Sequence, residues 1–431
     1  MSQTTNRVVF TKEMRQDYTI LIPNMLPYHF RMLARLLNFY GYKVELLETT
    51  GHEIIEAGLK YVHNDSCYPA QVVIGQFLST IQSGKYDPHK VALMFTQTGG
   101  GCRASNYISL LRKALERAGY PYIPVISLNF AGLESNPGFR MTLPMLHRMV
   151  YAVLYGDLLM LLANQCRAYE VTEGESQKLA DDLSFELAEK LAGARRVSYR
   201  EIKETMASIV RRFDAIPKKD TVCTPVGIVG EIFVKYSPLG NNYLEDYLVS
   251  ENAEPVLAGF MDFAMYCVYN SLADHQLYGR GAVRQPVMRY VYNLLLARQR
   301  DLIEVIRQNS RLRAPTPFDH KIELLRDYMG IGMKMGEGWL LTAEILELLN
   351  EGIPNVICVQ PFGCLPNHIA GRGAMQRIKR DFPRANIAAV DYDSSTSAVN
   401  QHNRIKLMLQ SAREAEEETM AAAPAPETAT V

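Results

Sequence analysis

An excess of charge of either sign is missing from this sequence. Lysine plus arginine and aspartate plus glutamate number 46 each in 431 residues. No overall field therefore recruits nucleic acid or an anionic membrane, and a polyanionic partner has to be met locally. An uncharged apolar run of about 20 residues, enough to cross a bilayer, is also missing. The most apolar long segment, Leu143 to Cys166, carries His147, Arg148 and Asp157 and reads as a buried helix. The opening MSQTTNRVVFTKEMRQDYT has no apolar core ahead of a small-residue cleavage site, so the expectation is a cytoplasmic protein. The seven cysteines form no C-x-x-C knuckle and no ferredoxin-type run. An odd number in a reducing compartment is not a disulfide framework, which leaves packing, metal binding or catalysis.

With 48% hydrophobic and 21% charged residues, the chain is long enough for two or three domains with real cores. Its first third alternates. DYTILI (17–22) precedes a helical pattern over 28–42, KVELLE follows, and a second helix runs over 52–62. After HNDSCYPA come a helix over 69–83, the run KVALMF, a glycine loop, a helix over 106–119 and the strand YIPVISLN. From 143 to about 213 the pattern is helical. Alternation resumes at PVGIVGEIFVKYSP and continues through PVLAG, long helices to 310, a helix over 338–350, NVICVQPFG and NIAAVDYD. No hairpin signal appears, so crossovers and mostly parallel sheets are expected. The predicted fold is α/β, with two parallel-sheet lobes, 1–140 and 221–412, joined by a helical connector over 141–220. A tail over 413–431, ending in AAAPAPETATV, has little to bury and reads as disordered.

Three cysteines share a setting. Cys67 in NDSCYPAQ, Cys102 in TQTGGGCRASN and Cys364 in QPFGCLPNH each stand just ahead of a predicted helix. Unpaired amides at a helix start stabilise a thiolate, or an anionic cluster bonded to it. Strand-to-helix loops of parallel sheets line one crevice, so three such loops can meet there. Three thiolates suit a [4Fe-4S] cubane with one iron left open, a reactive and oxygen-sensitive arrangement, and a zinc site is the alternative. Cys166, Cys223, Cys267 and Cys358 sit in ordinary apolar surroundings and read as small buried hydrophobes.

The triple glycine lacks the lysine and hydroxyl residue that close a phosphate loop. Gly99, Gly100 and Gly101, with Arg103, read instead as cofactor-binding backbone giving amide bonds and clearance to a bulky inorganic group, or as a tight turn. The second glycine group, GIGMKMGEGW (330–339), follows no strand and reads as a loop before a helix. His63 and His368 flank cysteine loops, as hydrogen-bond partners, proton donors or simple caps. Glu231 ends an apolar strand, where an acid can face the crevice as a base.

YVHNDSCYPAQVVIGQF, FTQTGGGCRASNYISLLRKAL, GEIFVKYSPLGNN and PFGCLPNHIAGRG resemble the acyl-CoA dehydratase activase-related branch of the 2-hydroxyacyl-CoA dehydratase superfamily, which includes double-cubane cluster proteins. The likeness covers about 17–409. It implies Rossmann-like lobes with a cluster between them on Cys67, Cys102 and Cys364. It also implies a separate ATP-hydrolysing iron-sulfur activator that delivers one low-potential electron. In the dehydratases that electron makes a ketyl radical from a 2-hydroxyacyl-CoA thioester. A double-cubane [8Fe-9S] cluster needs more ligands than these three, so a single cubane is expected. Glu231 and His368 are the candidate catalytic residues, in a homo- or hetero-oligomeric enzyme or, alternatively, in a non-catalytic electron relay or scaffold.

Overall fold

The computed structural model describes residues 7–98, 101–128, 134–194, 197–395 and 397–422. In the first lobe β1 (Thr19–Pro23), α1 (Pro27–Phe39), β2 (Lys43–Leu47), α2 (His52–Tyr61) and α3 (Tyr68–Gln82) lead to β3 (Val91–Thr96), α4 (Tyr107–Arg117) and β4 (Val125–Leu128). Helical crossovers make every pairing parallel, and the sheet runs β2-β1-β3-β4. β3 is buried on both faces over 91–95, which is why it reads VALMF without alternation.

Three helices follow, α5 (Leu143–Arg167), α6 (Glu175–Gly193) and α7 (Tyr199–Asp214). The second lobe opens with β5 (Thr224–Gly230), α8 (Ile232–Tyr236), α9 (Leu244–Ser250) and β6 (Ala253–Leu257). Next come the helices α10 (Phe260–Tyr278), α11 (Gln285–Asn309), α12 (Phe318–Leu325) and α13 (Trp339–Asn350). It closes with β7 (Asn355–Pro361), α14 (Gly373–Asp381), β8 (Asn386–Tyr392) and α15 (Ala398–Ala422). This sheet runs β6-β5-β7-β8, again all parallel. Both sheets thus have the second strand outside the first, followed by the third and fourth. Winding reverses between β1 and β3 and between β5 and β7, and at such a reversal the loops at the carboxyl edge splay into a crevice.

The helices inserted between β6 and β7 pack with the connector. One core joins Tyr155, Leu159 and Leu162 of α5 to Met206 of α7, Met265 of α10, Leu302 of α11 and Trp339 of α13. Helix α5 is long and apolar enough to cross a membrane by composition, yet 61% of its apolar window is buried inside the protein. The buried helix expected over Leu143–Cys166 is therefore what forms.

A polar junction fixes this layer. Asp157, buried on α5, accepts from the amides of Phe260 (2.6 Å) and Met261 (2.9 Å) at the start of α10. Its Oδ1 also lies 2.8 Å from His29 Nε2 on α1. A Cβ on Gly156 would stand 2.4 Å from the His29 ring, and one on Gly259 2.6 Å from the Asp157 carboxylate. Glycine is required at both places for the approach.

The tail departs from expectation. Helix α15 continues to Ala422, through the first part of the 413–431 stretch read as disordered; 423–431 lie outside the described residues. Alanines and glutamates there favour helix intrinsically. Arg413 donates to the Glu251 carbonyl at 2.6 Å and Thr224 Oγ1 to Glu416 at 3.3 Å, anchoring the helix on the second lobe.

Replacing Asp157 with alanine leaves two helix-start amides and a buried imidazole without their acceptor. The expected loss is on the order of 3 kcal/mol, read as a lower denaturant midpoint with an unchanged slope.

Candidate functional site

Cys67 is placed by a crossing of helices. A Cβ on Gly58 of α2 would lie 2.4 Å from the Gln71 carbonyl, and one on Gly75 of α3 would lie 2.1 Å from the Ile54 carbonyl. The two backbones touch, and the chain between them is forced into a tight turn. Gln71 Nε2 holds that turn by donating to the Asn64 carbonyl at 3.0 Å and the Ser66 carbonyl at 3.3 Å. Cys67 then caps α3, with Pro69 in the first turn. Its Sγ is 3.0 Å from Tyr107 Oη. From the other lobe, Ser394 donates to Gln71 Oε1 at 2.6 Å.

Cys102 follows β3 and caps the short turn Arg103–Asn106 that leads into α4. Arg103 donates to the Asp65 carbonyl, which ties the Cys102 loop to the Cys67 loop. A Cβ on Gly101 would lie 2.6 Å from Met335 Sδ, so glycine there makes room for the loop 330–338. Gly99 and Gly100 lie outside the described residues.

Cys364 follows β7, just ahead of the π-helical turn Asn367–Arg372. Asn367 Nδ2 donates to its Sγ at 3.3 Å. His368 Nδ1 lies 2.9 Å from the Cys364 carbonyl and acts as a local cap. His63 is exposed, its ring nitrogen accepting from the Asp65 amide at 3.2 Å. Each thiol thus stands at a helix start, as the spacing predicts.

Glu231 follows β5 and is buried. One oxygen accepts from the Val234 amide at 2.9 Å, so it caps α8. Beside it, buried Glu337 accepts from the Ile232 amide at 3.0 Å. Glu337 belongs to the second glycine group, gripped by α10. Tyr266 Oη donates to the Gly336 carbonyl at 2.9 Å, Trp339 Nε1 to Asn270 at 3.1 Å, and Lys334 pairs with Asp274. Gly336 and Gly338 have φ of +57° and +43°, which L side chains rarely adopt. A Cβ on Gly336 would come within 3.7 Å of Cys102 Sγ.

The thiols and the two carboxylates act on one another. Burial, then Glu231, Cys364 and Cys102, push the Cys67 thiol well up, against the Tyr107 hydrogen bond. Burial, then Glu337 and Glu231, raise Cys102. The same causes push Cys364 up to about 12. Burial and Glu337 hold Glu231 at about 8. The three loops, two from one lobe and one from the other, therefore meet around Glu231 and Glu337. No basic side chain is among the main influences on the thiols. All seven cysteines are free, and among the described residues no three histidine, cysteine or acidic side chains close on one point as a lone metal ion needs.

Two residues escape the sequence reading. Glu337 sits in a segment with no preceding strand; its one signal is the acid between two glycines. Cys267, taken as buried, is solvent-accessible, whereas Cys166, Cys223 and Cys358 are buried as expected. It lies on α10 next in sequence to Tyr266, which donates to the Gly336 carbonyl. A cysteine in an apolar helix reads as core because helix phase alone does not reveal a crevice.

No family model matches the chain, and no curated protein matches it.

With Glu231 raised from the ordinary carboxylate range to about 8, the folded state holds a proton that the unfolded chain releases. Stability falls as pH rises across that window, and Glu231→Gln flattens the fall in a pH series of urea melts. Once ionised, Glu231 and Glu337 oppose thiolate formation, so Glu337→Gln speeds iodoacetamide labelling of Cys102 and Cys364 at about pH 9.

Proposed function

We propose that this chain is a cytoplasmic iron-sulfur protein of the 2-hydroxyacyl-CoA dehydratase type, from the activase-related branch. It receives a low-potential electron from an ATP-hydrolysing activator, for radical dehydration of a 2-hydroxyacyl-CoA or a related ATP-coupled reduction. The observation that carries the reading is the meeting of Cys67, Cys102 and Cys364, all free and all at helix starts, around two buried acids. Thiols and acids gathered with no basic group among the main influences suit a group that brings positive metal charge.

Cys67, Cys102 and Cys364 would hold a [4Fe-4S] cluster, which when bound supplies one-electron transfer and an open iron as Lewis acid. The chain's own groups do the rest. Gly101 and Gly336 keep side chains off the Cys102 loop, Asn367 directs a hydrogen bond at Cys364, and Glu231 holds a proton that a departing hydroxyl needs to leave as water. His368 is committed to the Cys364 carbonyl and orients that ligand.

Cys267 favours a second reading. A fourth accessible thiol beside Glu337 would close the cluster and make the chain an electron relay. Anaerobic purification should yield about four irons and four sulfides per chain, lost in Cys67→Ser, Cys102→Ser or Cys364→Ser. Stoichiometric zinc overturns the assignment. Activator, ATP and a panel of 2-hydroxyacyl-CoA thioesters separate the readings: turnover supports the enzyme, and oxidation of reduced activator without turnover supports the relay.

A further inference from the structure

Helices α10 and α11 run antiparallel. Gln299 of α11 donates to Asp262 near the start of α10 at 2.6 Å, and further along Tyr269 meets Tyr292 with 5.6 Å between ring centres. Beyond Ala273 and Tyr292 the pair leaves the core. No residue from 274 to 291 is buried, and 276–284 are exposed throughout. The turn between the helices is nonetheless well defined. Gly279 closes α10 at a φ of +65°, its amide bonded to the His275 carbonyl at 2.9 Å. Gly281 follows at a φ of +72°, the Arg284 amide donates to its carbonyl at 2.9 Å, and Pro286 lies in the first turn of α11.

The end so held is apolar and basic. Leu277, Tyr278, Val283, Val287 and Tyr290 are all exposed, Val283 at 93% and Tyr290 at 69%. Apolar side chains gathered in water mark a surface that something covers. Among them stand Arg280, Arg284 and Arg289, also exposed. From His275 to Arg300 the chain has no aspartate or glutamate. None of the three arginines pairs with an acid elsewhere among the described residues.

Charge and shape together select the occupant. Two copies meeting end to end would bring the arginines of both together without one acid, which opposes a dimer through this face. An acidic protein covers one side of such an end, yet 276–284 are exposed on every side. The interface of an anionic bilayer surrounds it, with phosphates for the arginines and acyl chains for the apolar groups. Tyrosine, apolar in its ring and polar at its hydroxyl, suits that boundary.

We propose that the end of the α10–α11 pair, 277–290, is an anchor that inserts its apolar side chains into the interface of an anionic membrane. Arg280, Arg284 and Arg289 meet the lipid phosphates. The chain as a whole has no net charge, so the attraction is local to this end. Nothing in the proposal depends on a cluster in the crevice.

Vesicles of phosphatidylcholine with about 30% phosphatidylglycerol test it on the full chain at about 0.1 M salt. The chain sediments with them and stays in solution with phosphatidylcholine alone. Arg280→Gln, Arg284→Gln and Arg289→Gln together lower the partition about a hundredfold, since each basic side chain near such a surface contributes about fivefold. Val283→Ser with Val287→Ser lowers it about tenfold or more at unchanged charge. These side chains are exposed, so the variants keep the parent's circular dichroism. In a Val283→Trp variant, emission shifts to shorter wavelength on binding and is quenched by brominated lipid; Trp339, the chain's one tryptophan, is buried and does not respond. Failure to sediment with the anionic vesicles overturns the proposal. A loss in the arginine variant alone, with the serine variant and the tryptophan emission unmoved, also overturns it, because charge then adsorbs without insertion. Binding of soluble polyglutamate with none to vesicles overturns it in favour of an acidic protein partner.

Discussion

Acidic groups held together out of water are the constraint on which this structure turns. Three thiols and two carboxylates gather where two sheets present their carboxyl edges. None can ionise freely, because burial and the neighbouring acids oppose each in turn. Much of the remaining architecture serves to hold that gathering. The Gly58–Gly75 contact sets the Cys67 turn, the α10 bonds set the Glu337 loop, and Ser394 pins one lobe to Gln71 of the other. Each contact is modest in energy, yet each acts on a different loop of the same crevice.

The fold was largely legible. Strict alternation of apolar runs with amphipathic helices dictates parallel pairing, and the strands lie within a few residues of DYTILI, KVALMF and NVICVQPFG. Helix starts were legible through local chemistry as well, as with proline just after Cys67 and the glycine loop before Cys102. What pattern does not contain is how the helices between β6 and β7 return to the connector. That packing depends on Asp157, whose partners are His29, Phe260 and Met261. A lone aspartate in an apolar helix announces a partner without saying which.

The site was legible where it followed a strand or, at Cys67, where a proline marked the helix start, and hidden elsewhere. Cys102, Glu231 and Cys364 follow strands, and that position carries meaning in a parallel sheet. Glu337 follows no strand, Cys267 is inside a helix, and Lys235 and Lys321 look like surface charges on amphipathic segments. Their burial results from pairing across elements far apart in sequence, 109 residues for Lys235 with Glu344 and 59 for Lys321 with Asp262. Local periodicity does not report such pairings.

The grip of α10 on the loop 334–339 also bears on how anything enters. Tyr266, Asn270 and Asp274 hold the loop at three points along one helix face, so it moves with the helix or not at all. A roof fastened like a seam makes a poor door. The segment around Cys364 leaves Phe362, Leu365 and Ile369 exposed to water. Apolar area exposed beside a thiol favours an apolar neighbour over a hydrated ion at that place, because contact removes that area from water.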